Sequence, residues 1–267
     1  ERVMAGRQYV QLSVDAGVGI LQLNHPEKRN ALGWELHYEI IAALEAWASA
    51  VSFSWVLLTG DEDYLCAGWR LDVLDGISPD DRRGFTDLAL KLMKAVYDYR
   101  KPIVAAVAGV APGYGMDLAN MCDFTIASQN ASFGSTQDKY GMNGFYHAMV
   151  RRVGRQRARR MLFTGDPISA AEALRVGLVD EVVPVGQLRE QAIARAQQVA
   201  EMGPELAVVL KDVALRSDNM DHLSALSFEL AVTHDLTQRA IFRDRVARGR
   251  ARMDSGDSPA VERPIHA

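Results

Sequence analysis

Lys101-Pro102-Ile103-Val104-Ala105-Ala106-Val107 is a nearly all-apolar run, and the glycine-rich turn Gly109-Val110-Ala111-Pro112-Gly113-Tyr114-Gly115 follows it closely. The run has the length expected of a parallel strand that is buried on both faces. The turn leads into a short predicted helix near Asp117. A buried strand that passes into a helix through a tight turn is typical of the α/β fold class, which we therefore predict.

The chain on the N-terminal side of this run also alternates between strand and helix patterns. Tyr9 to Val14 and Val18 to Leu23 are β-prone runs joined by Asp15-Ala16-Gly17, which predicts a hairpin. Apolar residues from Leu36 to Ala48 recur at helical spacing and predict an amphipathic helix. The same patterns predict a strand over Ser54 to Leu58 and a helix over Asp80 to Tyr99.

The C-terminal half becomes mainly helical. Phe124 to Ala127 is another buried strand candidate, and from Val150 onward the pattern is helical apart from Leu178 to Val183. We predict a core over residues 1–186, a helical region over 187–252 and a flexible tail over 253–267. The final helices carry Leu223, Leu226 and Leu230 on one face, with no further sheet to cover. We therefore expect that face to pack on the core or on another subunit.

Composition and charge restrict the classes of partner. The chain has 267 residues, of which 48% are hydrophobic and 24% charged, enough for one sizeable core and a smaller appended element. A formal net charge of −4 gives no electrostatic reason to bind nucleic acid or an anionic membrane. Arginine recurs six times from Arg239 to Arg252, as either a solvated helix face or an anion-binding edge.

The cysteines bear on the compartment. Cys66 and Cys122 are too few for the disulfide framework that a secreted chain of this size would more often carry, so we expect a cytoplasmic protein. No stretch reaches the roughly 18 consecutive apolar residues of a membrane span.

Two glycine turns are the candidates for chemistry. The turn Gly109 to Gly115 has a counterpart in Cys66-Ala67-Gly68-Trp69, which also follows a predicted strand. Glycine permits positive φ and lets main-chain N–H groups point into a cleft, where two of them can bind an oxyanion. The alternative is that both are ordinary strand-to-helix turns of an α/β fold. Neither has the spacing of a P-loop or of a complete dinucleotide-binding fingerprint.

Further motifs flank these turns along most of the chain. They are Asn24-His25-Pro26-Glu27-Lys28-Arg29-Asn30-Ala31-Leu32, Leu57-Leu58-Thr59-Gly60, Met121-Cys122-Asp123, Ala131-Ser132-Phe133-Gly134, Phe163-Thr164-Gly165 and Ala173-Leu174-Arg175-Val176-Gly177-Leu178-Val179-Asp180-Glu181-Val182-Val183-Pro184. Together with the two turns they resemble the enoyl-CoA hydratase/isomerase (crotonase) superfamily from about Tyr9 to Arg245. Several matches in the family's order make this resemblance specific.

The resemblance implies both an architecture and a site. It implies a spiral of ββα units with a helical C-terminal trimerisation region, in a homotrimer or a dimer of trimers. It also implies that the backbone N–H groups of Trp69 and Tyr114 form an oxyanion hole for the thioester carbonyl of an acyl-CoA. No metal or redox cofactor is expected. Contacts with the substrate and its coenzyme A are expected from Lys28, Arg29, Ala31, Ala67, Gly68 and Gly113.

Asn30 lies within the first of these motifs and has a second, structural expectation. Asparagine is a favoured N-cap residue, so Asn30 is expected to cap the helix that follows it.

Two positions that hold glutamate in the family hold other residues here. Hydratases of this family use two glutamates, and the corresponding positions here hold Asp117 and Gln137. Asp117 lies one helical turn beyond Tyr114, so its carboxylate should face the same cleft, although it could instead be an acid stabilised by the helix dipole. Gln137 cannot exchange a proton at neutral pH but can orient a water or a carbonyl. Asp138 and His147 are candidates to replace the missing acid, and His147 could instead be merely packed or exposed.

Several residues near the two turns also depart from the pattern. Trp69 and Tyr114 replace small residues, and Arg70 stands where an Asp is common. The rings would narrow or reshape the acyl pocket, or else belong to the core. Residues 141–154 form a shorter segment than is usual in the family. Cys66 lacks an evident base, so we do not expect it to be a nucleophile.

Three functions follow from this pattern. The first is an acyl-CoA lyase or isomerase, with Asp117 as the acid/base. The second is a hydrolase of a thioester, or of a carbon–carbon bond in a diketone, in which Gln137 or His147 places water. The third is a non-catalytic family member that serves as an assembly partner.

Overall fold

A computed structural model of the chain describes residues 8–200 and 203–254. In these ranges the strands are β1 (Val10–Asp15), β2 (Val18–Leu23), β3 (Trp55–Thr59), β4 (Ile103–Val107), β5 (Val110–Pro112), β6 (Phe124–Ser128), β7 (Ser132–Gly134), β8 (Ile168–Ser169) and β9 (Glu181–Val183). The helices are α1 (Trp34–Trp47), α2 (Leu71–Gly76), α3 (Pro79–Tyr97), α4 (Tyr114–Asn120), α5 (Tyr146–Thr164), α6 (Ala170–Arg175), α7 (Leu188–Ala200), α8 (Pro204–Ser217), α9 (His222–Gln238) and α10 (Ala240–Asp254). Short 3₁₀ helices cover Pro26–Lys28 and Thr136–Tyr140.

The main sheet has the strand order β1-β2-β3-β4-β6-β9. β1 and β2 pair antiparallel, and each later neighbour pairs parallel. The predicted hairpin is confirmed, and its turn residues Ala16 and Gly17 both have positive φ, at 49° and 79°. That conformation belongs to the type I′ turn, whose twist matches that of the strands it joins. The strands and the two long helices predicted before residue 130 are likewise confirmed.

The central strand β4 is buried on both faces. Ile103, Ala105 and Val107 belong to one hydrophobic cluster, which includes residues of α1 and α3. Val104 and Ala106 belong to a second cluster, which includes residues of α7. Because side chains alternate across a strand, a strand covered by helices on both faces needs apolar residues at every position. The all-apolar run of β4 therefore fixes the layered α/β arrangement.

A small second sheet was not predicted. Its order is β5-β7-β8, with β5 and β7 parallel and β7 and β8 antiparallel. These strands are too short for a periodic hydrophobic pattern, which is the main sequence signal for a strand. Within the second glycine turn, Val110–Pro112 form the strand β5. β8 also interrupts the region after Val150 that we predicted to be mainly helical.

The loop before α1 corrects one prediction. The N-cap of α1 is Gly33 and makes no side-chain cap hydrogen bond. Asn30 is buried and its Oδ1 accepts a hydrogen bond from the backbone N–H of His25 at 2.7 Å. Its amide nitrogen lies 3.3 Å from the carbonyl oxygen of Tyr64. The prediction that Asn30 caps the helix is wrong, because its side chain ties this loop to the loop after β3.

The chain divides into two compact units, and among the described residues the first unit ends at Val208 and the second begins at Val209. The first unit contains α7 and both sheets. The domain boundary predicted at 186 and the role of the last helices in assembly stay predictions. Leu223, Leu226 and Leu230 of α9 are 73%, 42% and 69% exposed in the single chain.

The remaining C-terminal predictions concern the arginine-rich segment and the tail. On α10, Arg243, Arg248 and Arg250 are exposed. The tail predicted over 253–267 lies outside the described residues except for Met253 and Asp254, which end α10. In the described ranges, no helix is both long and apolar enough to cross a bilayer.

Candidate active site

A cleft of about 580 Å³ brings together most of the residues singled out in the sequence. It lies in the first compact unit. Four loop segments supply its walls, although they are far apart along the chain. The predicted residues that line it are Lys28, Arg29, Ala31, Ala67, Gly68, Trp69, Gly113, Tyr114 and Gln137.

The two glycine turns meet backbone to backbone at this cleft. A Cβ added to Gly68, whose φ is +92°, would lie 3.1 Å from the Pro112 carbonyl oxygen and 3.5 Å from the Tyr114 nitrogen. A Cβ on Gly115 would lie 2.0 Å from the Cys66 carbonyl oxygen. Real side chains cannot approach a backbone oxygen so closely. The close approach therefore requires glycine at position 115, and the positive φ at position 68 favours glycine there.

The Trp69 N–H points away from the segment that pairs with it. Leu32 donates to the Gly68 carbonyl at 2.8 Å and accepts from the Arg70 N–H at 3.1 Å. In such a parallel bridge, the N–H and C=O groups of one residue, here Leu32, form hydrogen bonds with the residues before and after its partner. The N–H of the partner itself, here Trp69, then faces the opposite side.

The Tyr114 N–H is left without an intrahelical acceptor because Tyr114 is the first residue of α4. Among the described residues, neither this group nor the Trp69 N–H has a hydrogen-bond acceptor in the protein. Both backbone donors are thus available at the cleft.

Asp117 lies one turn into α4 and is fully buried. Its Oδ2 accepts a hydrogen bond from the Gln137 side-chain amide at 2.5 Å. In the described part of the chain, its Oδ1 has no hydrogen-bond partner. Burial raises the pKa of this carboxyl to about 7, against smaller lowering effects from the Phe145 backbone N–H and the Gln137 amide. The group can therefore change its protonation state near neutral pH.

Gln137 contacts both Asp117 and the cleft. It lines the cleft, whereas Asp117 does not. The Ser135 hydroxyl donates to Gln137 Oε1 at 3.3 Å, which directs the amide nitrogen towards Asp117. A Cβ on Gly113 would come within 3.3 Å of Gln137 Cδ, so the glycine turn also leaves room for this side chain.

Neither Asp138 nor His147 reaches the cleft. Asp138 is exposed, and its carboxylate lies against Gly165 at the end of α5. His147 is exposed in the first turn of α5 and does not line the cleft. Of the three candidates for proton transfer, Asp117, Asp138 and His147, the structure places Asp117 beside the cleft, through its contact with Gln137.

The outer part of the cleft is rich in positive charge. Arg70 donates two hydrogen bonds to Asp72, at 2.9 and 2.6 Å, and Lys28 Nζ lies 3.3 Å from the same carboxylate. These contacts hold the pKa of Asp72 well below its usual range, and the hydrogen bonds from Arg70 have the largest effect. Arg29 lies 5.5 Å above the Tyr64 ring, and Lys139 also lines the cleft. Four cations thus line the cleft, and two of them, Lys28 and Arg70, contact Asp72, so the excess of positive charge suits an anionic ligand.

The aromatic rings of Trp69 and Tyr114 lie in different surroundings. Tyr114 belongs to the core, where its hydroxyl donates to the Ala89 carbonyl at 2.9 Å. Trp69 is half-buried, lines the cleft and packs edge-on against Tyr114 at 5.2 Å. Burial raises the pKa of the Cys66 thiol to about 12, so this cysteine is not a nucleophile at neutral pH.

Sequence reasoning missed several residues of the cleft. They are Tyr64, Leu71, Asp72, Val110, Pro112, Thr136, Lys139, Tyr140 and Met142. Pro112 and Val110 lie inside a quoted turn, and Thr136 and Lys139 flank Gln137, so their positions in the sequence were the available signal. The remaining five, which are Tyr64, Leu71, Asp72, Tyr140 and Met142, have no such signal.

Comparisons with known proteins agree with this arrangement. A family model described as enoyl-CoA hydratase/isomerase matches residues 13–252. A probable enoyl-CoA hydratase of Rhizobium meliloti is 35% identical over 215 residues, which cover 79% of this chain and 83% of that protein. The 2,3-dehydroadipyl-CoA hydratase of Escherichia coli is 33% identical over 209 residues, covering 77% and 81% of the two chains.

A solved structure extends the likeness to the whole fold. The crystal structure of an enoyl-CoA hydratase from Bacillus anthracis aligns with a TM-score of 0.86 and 28% identity, covering 95% of this chain and 98% of the other. The chain therefore belongs to the enoyl-CoA hydratase/isomerase family and has its crotonase-like α/β fold with C-terminal helices. It is an enzyme of that family.

Proposed function

We propose that this enzyme acts on an acyl-CoA thioester as a lyase or isomerase that stabilises an enolate and uses Asp117 as its single acid/base. The observation that carries the proposal is the buried Asp117 carboxyl with a pKa of about 7, on the helix that begins at Tyr114. An acid/base is most effective when its pKa lies near the working pH. The relatives named above act on coenzyme A esters, which supports the substrate class.

The backbone N–H groups of Trp69 and Tyr114 hold the thioester oxygen in this proposal. Negative charge develops on that oxygen when a proton leaves the adjacent carbon. Each donor aimed at such a charge is typically worth about 2.7 to 4 kcal/mol of activation barrier. Support comes from the absence of a protein acceptor for either group among the described residues, and from the glycine at 68 that leaves the Tyr114 nitrogen approachable.

Asp117 removes a proton from the carbon next to the carbonyl and returns it further along the acyl group. This transfer moves a double bond and needs one carboxyl only. Hydration also requires a water to be deprotonated, and the Gln137 amide can orient water without accepting its proton. Within the proposal, isomerisation is therefore favoured over hydration. The chemistry is proton transfer, which calls for no metal or redox cofactor.

The anionic coenzyme A part binds at Lys28, Arg29 and Lys139, where charge-assisted hydrogen bonds to phosphate are available. Ala31, Ala67, Gly68 and Gly113 supply small-residue walls along the thioester arm. The support is their common position on one cleft.

We further propose a homotrimer or a dimer of trimers in the cytoplasm. Leu223, Leu226 and Leu230 are exposed in the single chain, and an assembly would bury them. Two buried free thiols suit a reducing compartment.

The test follows exchange of the α-protons of butyryl-CoA in deuterium oxide by mass spectrometry, together with conversion of 3-butenoyl-CoA to crotonyl-CoA. The wild type should catalyse both reactions, Asp117→Asn should lose both while it still binds butyryl-CoA, and the exposed matched control Asp138→Asn should keep both. Retained exchange in Asp117→Asn, or its loss in Asp138→Asn alone, overturns the assignment of the acid. Release of free coenzyme A would indicate a hydrolase. Binding of the ester without any proton exchange would indicate a non-catalytic protein. Either result overturns the proposal.

A further inference from the structure

Phe85 is clamped between two tryptophans that belong to different cavities. It lies on α3 and is 1% exposed. Its ring packs edge-on against Trp69 at 5.4 Å with an interplanar angle of 89°, and against Trp34 at 4.9 Å and 69°. Such edge-to-face contacts are the preferred geometry of aromatic pairs. The three rings form one continuous wall.

Trp69 lines the active-site cleft, whereas Trp34 lines a second cleft of about 590 Å³. The second cleft, here called the α2–α3 cleft, lies where α2 ends and α3 begins. Its other walls are Asp72, Val73, Gly76, Ile77, Ser78 and Asp81. Asp72 lines both clefts, so they are close neighbours. The ring of Phe85 and the short helix α2 separate them.

The direction of a bound thioester follows from the proposed site. Its coenzyme A phosphates lie towards the cations Lys28 and Arg29, and its carbonyl lies at the Trp69 and Tyr114 N–H groups. The acyl group then continues past the carbonyl to the inner end of the cleft, towards Asp117.

Aromatic rings close that inner end. Tyr114 packs against Trp69 on one side and at 5.7 Å against Phe145 on the other. Neither Phe85 nor Phe145 lines the cleft, because Trp69 and Tyr114 cover them. Among the described residues, the lining of the cleft therefore stops at Trp69 and Tyr114 on this side.

We propose that this enzyme selects short acyl groups, and that Phe85 determines the limit by holding the wall between the active-site cleft and the α2–α3 cleft. The inference rests on the proposed function, since it takes an acyl-CoA to be the ligand. Phe85 acts through Trp69 rather than by touching the reacting atoms. Loss of its ring removes the support behind Trp69, which can then turn into the vacated space towards Trp34 and make room for a long chain.

The test compares binding of butyryl-CoA and dodecanoyl-CoA by isothermal titration calorimetry. Each buried methylene strengthens binding roughly fourfold, so an open pocket would favour the longer chain strongly. We expect the wild type to bind butyryl-CoA at least about tenfold more tightly than dodecanoyl-CoA, because a closed wall reverses this trend. If the wild type binds dodecanoyl-CoA as tightly as butyryl-CoA, or more tightly, the proposal is overturned without any variant. Such a result would mean that the long chain leaves the cleft by another path, for example along Leu71 and Met142.

The variants then assign the wall to Phe85. Phe85→Ala should bring dodecanoyl-CoA to at least the affinity of butyryl-CoA. Leu90→Ala removes an exposed leucine from the same helix and should keep the wild-type preference. If Phe85→Ala does not fold by circular dichroism, Phe85→Leu is measured in its place and should weaken the preference in the same direction. An unchanged preference in a folded Phe85 variant overturns the role of this residue.

Binding and turnover separate this inference from the proposed function. Selective binding of butyryl-CoA with no α-proton exchange would overturn the proposed function and support the short acyl pocket. Exchange on butyryl-CoA and dodecanoyl-CoA at equal efficiency would support the proposed function and overturn the short pocket. Absence of binding to either ester, with free coenzyme A as the reference ligand, overturns both.

Discussion

The side-chain amide nitrogen of Gln137 lies 2.5 Å from Oδ2 of Asp117, which joins a neutral side chain at the cleft to a fully buried carboxyl. A glutamate at 137 would place a second titratable group in this contact. Because the residue is a glutamine, the pair carries at most one negative charge. The amide also stabilises the ionised form of Asp117, in opposition to the larger effect of burial.

Activity should rise with pH through the pKa of Asp117. The carboxyl must be ionised to remove a proton, and its pKa in the free enzyme is about 7. We expect kcat/KM to fall about tenfold for each pH unit below that value and to level off above it. A pH profile of α-proton exchange measures this. A profile that is flat between pH 5 and 8 would contradict the assignment, since an unshifted aspartate has a pKa of about 3.9.

Asp117→Asn should stabilise the folded protein at high pH. The folded pKa of about 7 lies above the unfolded value near 3.8, so ionisation opposes folding. This penalty is absent below about pH 4, grows between about pH 4 and 7, and is complete above that range, at most about 4 kcal/mol. The free energy of unfolding in urea, measured at pH 4 and pH 8, tests the sign. A variant that is less stable than the wild type at pH 8 would show that the buried carboxylate is favourable.

Gly68→Ala should lower kcat about 10²- to 10³-fold. The added Cβ would lie 3.5 Å from the Tyr114 nitrogen and would strain a φ of +92°. Gly17→Ala is the matched control, because Gly17 has a φ of +79° and no atom within 4 Å of an added Cβ. Both variants should lose stability, and only Gly68→Ala should lose activity. Steady-state kinetics and thermal unfolding of the two proteins separate strain from obstruction of the site.

Gln137→Glu should raise the apparent pKa of the pH–rate profile above the wild-type value. Two carboxyls in contact cannot both ionise easily, so the pair holds one proton to higher pH. The same change supplies a group that can deprotonate water, and the ratio of hydration to isomerisation should increase. Gln129→Glu, at an exposed position, should change neither quantity. An unaltered pH profile in Gln137→Glu would mean that the two side chains do not interact during catalysis.

Arg29→Ala should raise KM for an acyl-CoA about tenfold and leave kcat nearly unchanged. The guanidinium is remote from the reacting carbon, so it contributes to binding in the ground state and the transition state alike. A hydrogen bond to a charged group contributes roughly 1.5 to 3 kcal/mol. Exposed Arg82 gives the control Arg82→Ala, which should keep the wild-type KM. The effect of Arg29→Ala should shrink as salt is added, which kinetics at two ionic strengths can check.

The α/β class, the strands of the main sheet and both glycine turns could be predicted from the sequence. These features depend on local properties, because the period of apolar residues follows from backbone geometry and tight turns need glycine. The short strands β5, β7 and β8 could not be predicted, since two or three residues show no period. Asn30 was misassigned for a related reason, as its hydrogen bonds reach residues of a distant loop that no local pattern identifies.

The sequence by itself determined the layered α/β class and the two glycine turns that meet at the cleft, because apolar periodicity and the need for glycine in tight turns are local properties of the chain. Only the tertiary structure decided the state of Asp117, whose pKa depends on burial and on an amide twenty positions along the chain. It also decided that Asp138 and His147 lie away from the cleft, and that Phe85 stands between two cavities. Burial and ring packing arise from the approach of distant segments, so neither can be obtained from spacing along one chain.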